Sequence, residues 1–207
     1  MTNGLAERLR LIVVTDPECG GRPLMDVVRA ALQGGAPAIQ LRIKDGDARP
    51  MADQARALLA ETRRAGALLF INDRVDVALA VGAEGAHVGQ SDLAATDVRR
   101  ISPPGFLIGV SAESAELALA AQADGADYVG VGPVYATGSK ADAGPPVGTE
   151  RIGAIAAAVR IPVVGIGGIT VENALPVTRA GAAGVAVISA VMQANDPEAA
   201  TRALLRR

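Results

Sequence analysis

Short runs of β-branched and other apolar residues alternate along the chain with longer stretches in which apolar positions recur at helical spacing. The runs are LIVVT at 11–15, AIQL at 38–41, LLFIN at 68–72, AHVG at 86–89, LIGVS at 107–111, YVGVG at 128–132, PVVGIGG at 162–168 and GVAVIS at 184–189. They predict eight strands. Each is apolar along its length, as parallel strands must be when helices cover one face and packed side chains fill the other. Between them the spacing predicts helices from Leu24 to Gln33, Met51 to Ala65, Val75 to Val81, Ala115 to Ala123, Glu150 to Val159 and Val171 to Ala180. Several of these end in a small-residue step, Gly34-Gly35-Ala36, Gly82-Ala83, Gly125-Ala126 or Gly181-Ala182, where glycine can adopt the left-handed cap that starts a short return loop. The repeated strand–helix order predicts the α/β class and a single (β/α)₈ TIM barrel spanning 1–207 as one domain. An open doubly wound sheet is the alternative, but no Gly-x-Gly-x-x-Gly follows the first strand.

Composition narrows the partners. The length of 207 residues fits one such barrel, and a net charge of −2 gives no basic footprint for nucleic acid. The start, MTNGLAERLRLIVVTD, lacks the apolar stretch of a secretory signal, and no apolar run approaches the ~20 residues needed to span a membrane. Cys19 is the only cysteine, which excludes an internal disulfide and any cysteine-based metal cluster. A cytoplasmic protein acting on small molecules is expected, with no nucleic-acid or membrane partner. A homo-oligomer is compatible with the sequence.

In a barrel of this kind the chemistry lies at the C-terminal ends of the strands, and polar residues are concentrated there. Gln40, Arg42 and Lys44 follow the second strand, Asn72 and Asp73 the third, Gln90 and Asp92 the fourth, and Ser111 ends the fifth. Asp73 and Asp92 put two hard oxygen ligands on adjacent loops, suited to Mg²⁺. Acid–base work is a second reading, and a third is helix capping, by Asp73 at Val75 and by Asp92 near Ala95. Arg42 and Lys44 on the same rim favour a polyanion with a divalent metal between the charges. After the sixth strand stands GPVYATGSKADAGPPVG, too long for an ordinary ~2–6 residue connection, with Thr137, Ser139 and Lys140 placed to grip phosphate, or else simply solvated. Gly167-Gly168 after the seventh strand and Ile188-Ser189 after the eighth fall where barrels bind phosphate on backbone N–H groups, with Gly168 expected to let the phosphate oxygens approach. Either glycine also suits a plain tight turn. His87, the lone histidine, lacks a Ser–His–Asp or Cys–His setting and reads as packed, and Cys19 reads as a bystander.

These segments together resemble the thiamine phosphate synthase family from about Leu11 to the end of the chain. QLRIK at 40–44 resembles the family's Gln-Leu-Arg-Glu-Lys, and the segment at 71–92 resembles its Asn-Asp-Arg and His-x-Gly-Gln-x-Asp pattern. GVGPVYATGSK at 130–140 resembles its Thr-x-Thr-Lys lid, and IPVVGIGGIT with GVAVIS completes the match. The resemblance implies that Gln40, Arg42, Lys44, Asn72 and Ser111 hold a pyrimidine diphosphate, with Lys140 reaching it from the lid. It implies that Asp73 and Asp92 bind Mg²⁺ as cofactor, and that Thr137, Ser139, Gly168, Ile188 and Ser189 hold a thiazole phosphate. Arg42, Ser111 and Lys140 are then the residues expected to act on the reacting diphosphate. The implied reaction is loss of diphosphate to leave a stabilised pyrimidine cation, attacked by the thiazole nitrogen to give thiamine phosphate. Ile43 stands where the family usually has Glu, Ser139 replaces the second Thr, and Glu113 follows Ser111 where His is common. A thiazole tautomerase on the same barrel, and a non-catalytic barrel that binds thiamine precursors, are the rival readings; the intact Asn72-Asp73 and Asp92 favour the synthase.

Overall fold

The computed structural model describes residues 2–17, 19–44, 46–139 and 144–206. Eight parallel strands close into a barrel in sequence order, with β1 (Leu11–Val14) hydrogen-bonded to both β2 (Ala38–Leu41) and β8 (Gly184–Val187). The others are β3 (Leu68–Asn72), β4 (Gly85–Val88), β5 (Leu107–Ser111), β6 (Tyr128–Val131) and β7 (Val163–Ile166). All eight predicted runs are strands, and the open sheet is excluded. The seventh and eighth end earlier than their apolar runs, because the chain turns outward onto the rim at Gly167 and Ile188.

Helices α2 (Leu24–Gln33), α4 (Val75–Val81) and α6 (Ala115–Ala123) have the predicted bounds; α3 (Ala48–Ala65), α7 (Gly148–Ala158) and α8 (Ala174–Arg179) differ by two or three residues at the start. Before the first strand lies α1 (Thr2–Arg8), between β4 and β5 lies α5 (Ala95–Ile101), and after β8 come α9 (Ser189–Met192) and α10 (Pro197–Leu205). Of these, α1, α9 and α10 stand outside the predicted set. The sequence of α10 nonetheless carries its own start signal, since the Asp196 carboxylate accepts the Ala199 N–H at 2.9 Å and Pro197 occupies the first turn.

Packing follows from helical spacing. In α3 the buried positions are Met51, Ala55, Leu58, Leu59 and Thr62, one stripe at intervals of three and four that lies on the barrel wall. Inside the barrel the Phe70 and Tyr128 rings meet edge to face, with centroids 5.4 Å apart. The glycine steps play more than one part. Gly82, Gly125 and Gly181 carry positive φ as predicted, but Gly34 has φ −70° and leaves the left-handed position to Gly35. Gly34 is needed for close approach instead: a Cβ there would lie 2.6 Å from the Glu198 carbonyl oxygen of α10.

Candidate active site

The predicted rim residues converge because β1 and β2 are locked where they leave the barrel. Thr15 donates its N–H to the Gln40 carbonyl at 2.9 Å, and its hydroxyl accepts the Arg42 N–H at 3.0 Å. Gln40 is thereby held in the barrel mouth, while half-buried Arg42 and exposed Lys44 stand on the rim. One strand further on, the Lys44 ammonium lies 3.9 Å from an Asp73 carboxylate oxygen. Asp73 has φ 61°, and among the described residues it is the one non-glycine in the left-handed region, a conformation costing roughly 1–2 kcal/mol. Its N–H donates to the His87 carbonyl at 2.8 Å, so the hydrogen bond to β4 holds the strained residue in place. Strain of this kind collects where a side chain must be aimed.

Asp92 sits above the end of β4, its Oδ2 accepting the Gly89 N–H at 2.7 Å. Neither aspartate caps a helix: Arg74 and Ala94 occupy the N-cap positions of α4 and α5, and neither helix has a side-chain cap. That reading is set aside. Among the described residues no three His, Cys, Asp or Glu side chains gather as a metal cluster. Two hard carboxylates on adjacent loops, with no sulfur or imidazole among them, are nevertheless the donor set that Mg²⁺ takes when phosphate and water complete its shell.

Two cavities open on this rim. The first, about 450 Å³, is lined by Ser111, Glu113, Thr137, Ser139, Gly168, Ile188 and Ser189 among others, so small residues and hydroxyls dominate it. The second, about 600 Å³, is lined by Asp16, Pro17, Arg42, Lys44, Gly138, Ser139, Ser189 and Gln193. Gly138, Ser139 and Ser189 belong to both and form the wall between them. Ser111, expected beside Arg42, lines the first cavity rather than the second. Gln40 and Asn72 are buried in the barrel mouth and line neither, and Lys140 lies outside the described residues. Thr137 accepts the Ser139 N–H at 3.2 Å, which sets the turn of the strand-six loop.

Gly168 is also fixed by packing. A Cβ at 168 would lie 2.5 Å from the Ala136 carbonyl oxygen and 2.8 Å from Tyr135 Cβ, while φ is 63°. The glycine is required by the lid base that packs on it, a requirement independent of any phosphate. Asn173 completes this corner, donating to the Gly168 carbonyl at 2.9 Å, accepting the Thr170 N–H at 2.7 Å, and offering its carbonyl to the Tyr135 hydroxyl at 3.1 Å.

His87 is packed, as predicted, but it also touches the site. Its Nε2 lies 3.0 Å from Ser111 Oγ and its Nδ1 3.1 Å from the Tyr128 hydroxyl. Burial pushes the Tyr128 phenol up from its ordinary pKa, so it stays protonated as a donor. Cys19 is buried with its thiol on the Asp16 carbonyl, and burial raises its pKa too, consistent with an inert role. Gln193 and Asp16 were not singled out from sequence; Asp16, just after the first strand, follows the rule for rim positions, whereas Gln193 is brought in by the unpredicted α9.

The sequence pattern of the family described as thiamine monophosphate synthase matches residues 11–191. The chain belongs to the thiamine monophosphate synthase family. The thiamine-phosphate synthase of Roseiflexus castenholzii is 59% identical over 193 residues, 93% of this chain and 85% of that one. That of Moorella thermoacetica is 53% identical, covering 93% and 92% respectively. Among solved structures, thiamine phosphate pyrophosphorylase from Pyrococcus furiosus is similar with a TM-score of 0.90 and 44% identity, covering 98% of this chain and 96% of that one. No helix among the described residues is long and apolar enough to cross a membrane.

Proposed function

We propose that this protein joins a pyrimidine diphosphate to a thiazole phosphate, yielding thiamine phosphate and free diphosphate. As a member of its family it is a transferase acting on small molecules. The observation that carries the finer reading is the pair of cavities with a common wall, one bordered by Arg42 and Lys44 and the other by hydroxyls and small residues. Two anionic substrates need separate seats whose reacting ends meet, and Ser139 and Ser189 stand at that meeting point.

In this reading Arg42 and Lys44 hold the diphosphate, with Gln40, Asn72 and Ser111 on the pyrimidine side; Lys140 is assigned to the diphosphate by family resemblance. Thr137, Ser139, Gly168, Ile188 and Ser189 hold the thiazole phosphate, near the backbone N–H groups that begin α9. Asp73 and Asp92 would hold Mg²⁺, which when bound supplies charge neutralisation for the departing diphosphate. The C–O bond to the methylene carbon breaks with its electron pair leaving on diphosphate, and the thiazole nitrogen forms the new C–N bond. No base is needed to start the reaction. The side chains therefore act by holding the nucleophile in line and by placing cations where negative charge grows. Only 2% of residues are aromatic, so the aminopyrimidine ring itself must stabilise the cation. The reading places the enzyme in the cytoplasm, and a homo-oligomer is compatible with it.

The test is a coupling assay with both substrates, with and without Mg²⁺. Product formation that depends on the metal is expected, and its absence would remove the assignment. Asp92→Asn should raise the Mg²⁺ concentration needed for half activity while the folded structure, followed by circular dichroism, is kept; an unchanged requirement would take Asp92 out of the metal site.

A further inference from the structure

Four side chains from four strands are joined through the barrel and end at the first cavity. Gln40 of β2 lies beside the Tyr128 hydroxyl of β6. The Tyr128 hydroxyl lies 3.1 Å from Nδ1 of His87 on β4, and Nε2 of the same ring lies 3.0 Å from Ser111 Oγ at the end of β5. Space for the line is made by glycines in strands that are otherwise apolar. A Cβ on Gly109 would stand 2.4 Å from the Tyr128 oxygen and 2.5 Å from His87 Nδ1, and one on Gly130 would stand 2.9 Å from His87 Cε1. Valine or leucine at these positions, with an apolar partner in place of His87, would fill a barrel core without any polar group to satisfy. A buried hydrogen-bonded line is favourable only if every member is satisfied, and no buried side-chain nitrogen or oxygen among the described residues lacks a partner. Its outer end, Ser111, is the one member that lines a cavity.

Such a line has two self-consistent directions. Ser111 can give its proton to His87 Nε2, with His87 Nδ1–H donating to Tyr128 and Tyr128 donating to the Gln40 carbonyl oxygen. The cavity would then meet only hydroxyl lone pairs at Ser111, which repel a phosphate. In the other direction Gln40 donates to Tyr128, Tyr128 donates to His87 Nδ1, and His87 Nε2–H donates to Ser111, whose own proton is left for the ligand.

We propose that Gln40, Tyr128 and His87 are positioning residues that run in the second direction and present the Ser111 hydroxyl as a donor to an anionic oxygen of the diphosphate, where that group reaches past the common wall of Gly138, Ser139 and Ser189 into the first cavity. This rests on the reading of the cavities as seats for phosphorylated substrates. The direction of the line, however, is a property of the protein alone. Because the chain holds a single histidine, imidazole nitrogen NMR on protein with isotope-labelled histidine reads the tautomer without ambiguity. A protonated Nε2 and a bare Nδ1 are expected in the wild-type protein, and the reverse tautomer overturns the proposal. Inorganic diphosphate with Mg²⁺ then serves as the binding probe. His87→Leu should weaken its binding about tenfold or more, the scale of one misdirected hydrogen bond to a charged group. His87→Gln, whose amide N–H can stand near the place of Nε2, should restore most of the loss. Equal binding by wild type and His87→Leu, or no rescue by His87→Gln, also overturns the positioning role. If His87→Leu does not fold, Tyr128→Phe, which keeps the ring and removes the donor, should lose the single tautomer; a spectrum unchanged from wild type counts against the line. Failure of the wild-type protein to couple its two substrates would remove the proposed function, while the spectrum would still decide the direction.

Discussion

The two ends of the barrel treat charge in opposite ways. At the N-terminal ends of the strands two carboxylates, Asp127 and Glu84, are each held by a guanidinium and by a strand N–H together. Asp127 accepts from Arg99 at 2.6 Å and from the Ile108 N–H at 2.8 Å, while Arg99 also donates to the Phe106 and Gly125 carbonyls, both at 2.7 Å. Glu84 likewise accepts the Leu69 N–H at 2.9 Å and faces Arg63 at 3.4 Å, and Arg63 donates to the Gly82 carbonyl at 2.8 Å. At the C-terminal ends the corresponding pair, Lys44 and Asp73, is separated by 3.9 Å on a strained backbone. The lower groups bind strand N–H and carbonyl groups within the wall, so they serve stability; the upper pair stands wider apart on the rim that carries the cavities, where a charged ligand can reach it. An ion pair inferred at one end of such a barrel therefore has a different meaning from one inferred at the other.

The sharpest separation should come from Lys140→Ala. It is expected to slow the chemical step by about 10²-fold or more, the scale of removing one charge-stabilising donor, with thermal stability unchanged. Single-turnover rates equal to wild type would withdraw the residue from the reaction. Gly168→Ala is the upper-rim change that should break the pattern, because its Cβ would strike the backbone at Ala136. It should cost about 2 kcal/mol of stability and raise the KM for thiazole phosphate more than that for the pyrimidine diphosphate, as read from denaturant melts and the two KM values. Equal rises in both, or a rise in the pyrimidine value alone, would mean that the substrates have been assigned to the wrong halves of the site.

Asp127→Ala tests the lower rim, where it strands the Ile108 N–H and the Arg99 guanidinium. A loss of about 2 kcal/mol in urea unfolding is expected, with kcat unaltered at a temperature where the variant stays folded. The smallest effect on stability belongs to Asp73→Gly. Relief of left-handed strain offsets the freedom glycine gains in the unfolded chain, so stability should move by less than about 1 kcal/mol while the Mg²⁺ requirement rises. A large change in melting temperature with an unchanged metal requirement would reverse the contrast between the two ends.

The strands were legible because parallel barrel strands are buried on both faces and must be apolar throughout, a pattern that leaves little ambiguity when eight recur in one chain. The rim residues were legible for the same reason, since the chain order places each strand's exit at one end. Harder to foresee was which neighbour each rim residue would meet. Nothing local shows that Gly168 must also make room for Tyr135 and Ala136, or that in the Gly34-Gly35 step it is Gly35 that takes the left-handed position while Gly34 is pressed against α10. His87 and Tyr128 lie 41 positions apart, and only the closure of the barrel puts their rings 5.5 Å from one another. Helix α10, with its cap at Asp196, had a local signal; the short α9 had none, and with it went the placing of Gln193.

The glycines at 109 and 130 also bear on how this sequence can change over generations. Their missing side chains are the volume that the His87 and Tyr128 rings occupy, so the four positions constrain one another. Any larger residue at 109 or 130 must displace a ring, and any smaller residue at 87 or 128 must open a void. Single steps from the present combination are therefore disfavoured in every direction, whereas a paired exchange, such as a small residue at 128 with a large one at 109, can conserve the core volume. The expectation is correlated drift: across related chains these four sites should vary together or remain fixed together, in contrast to the exposed helix positions, where each residue is free to change alone.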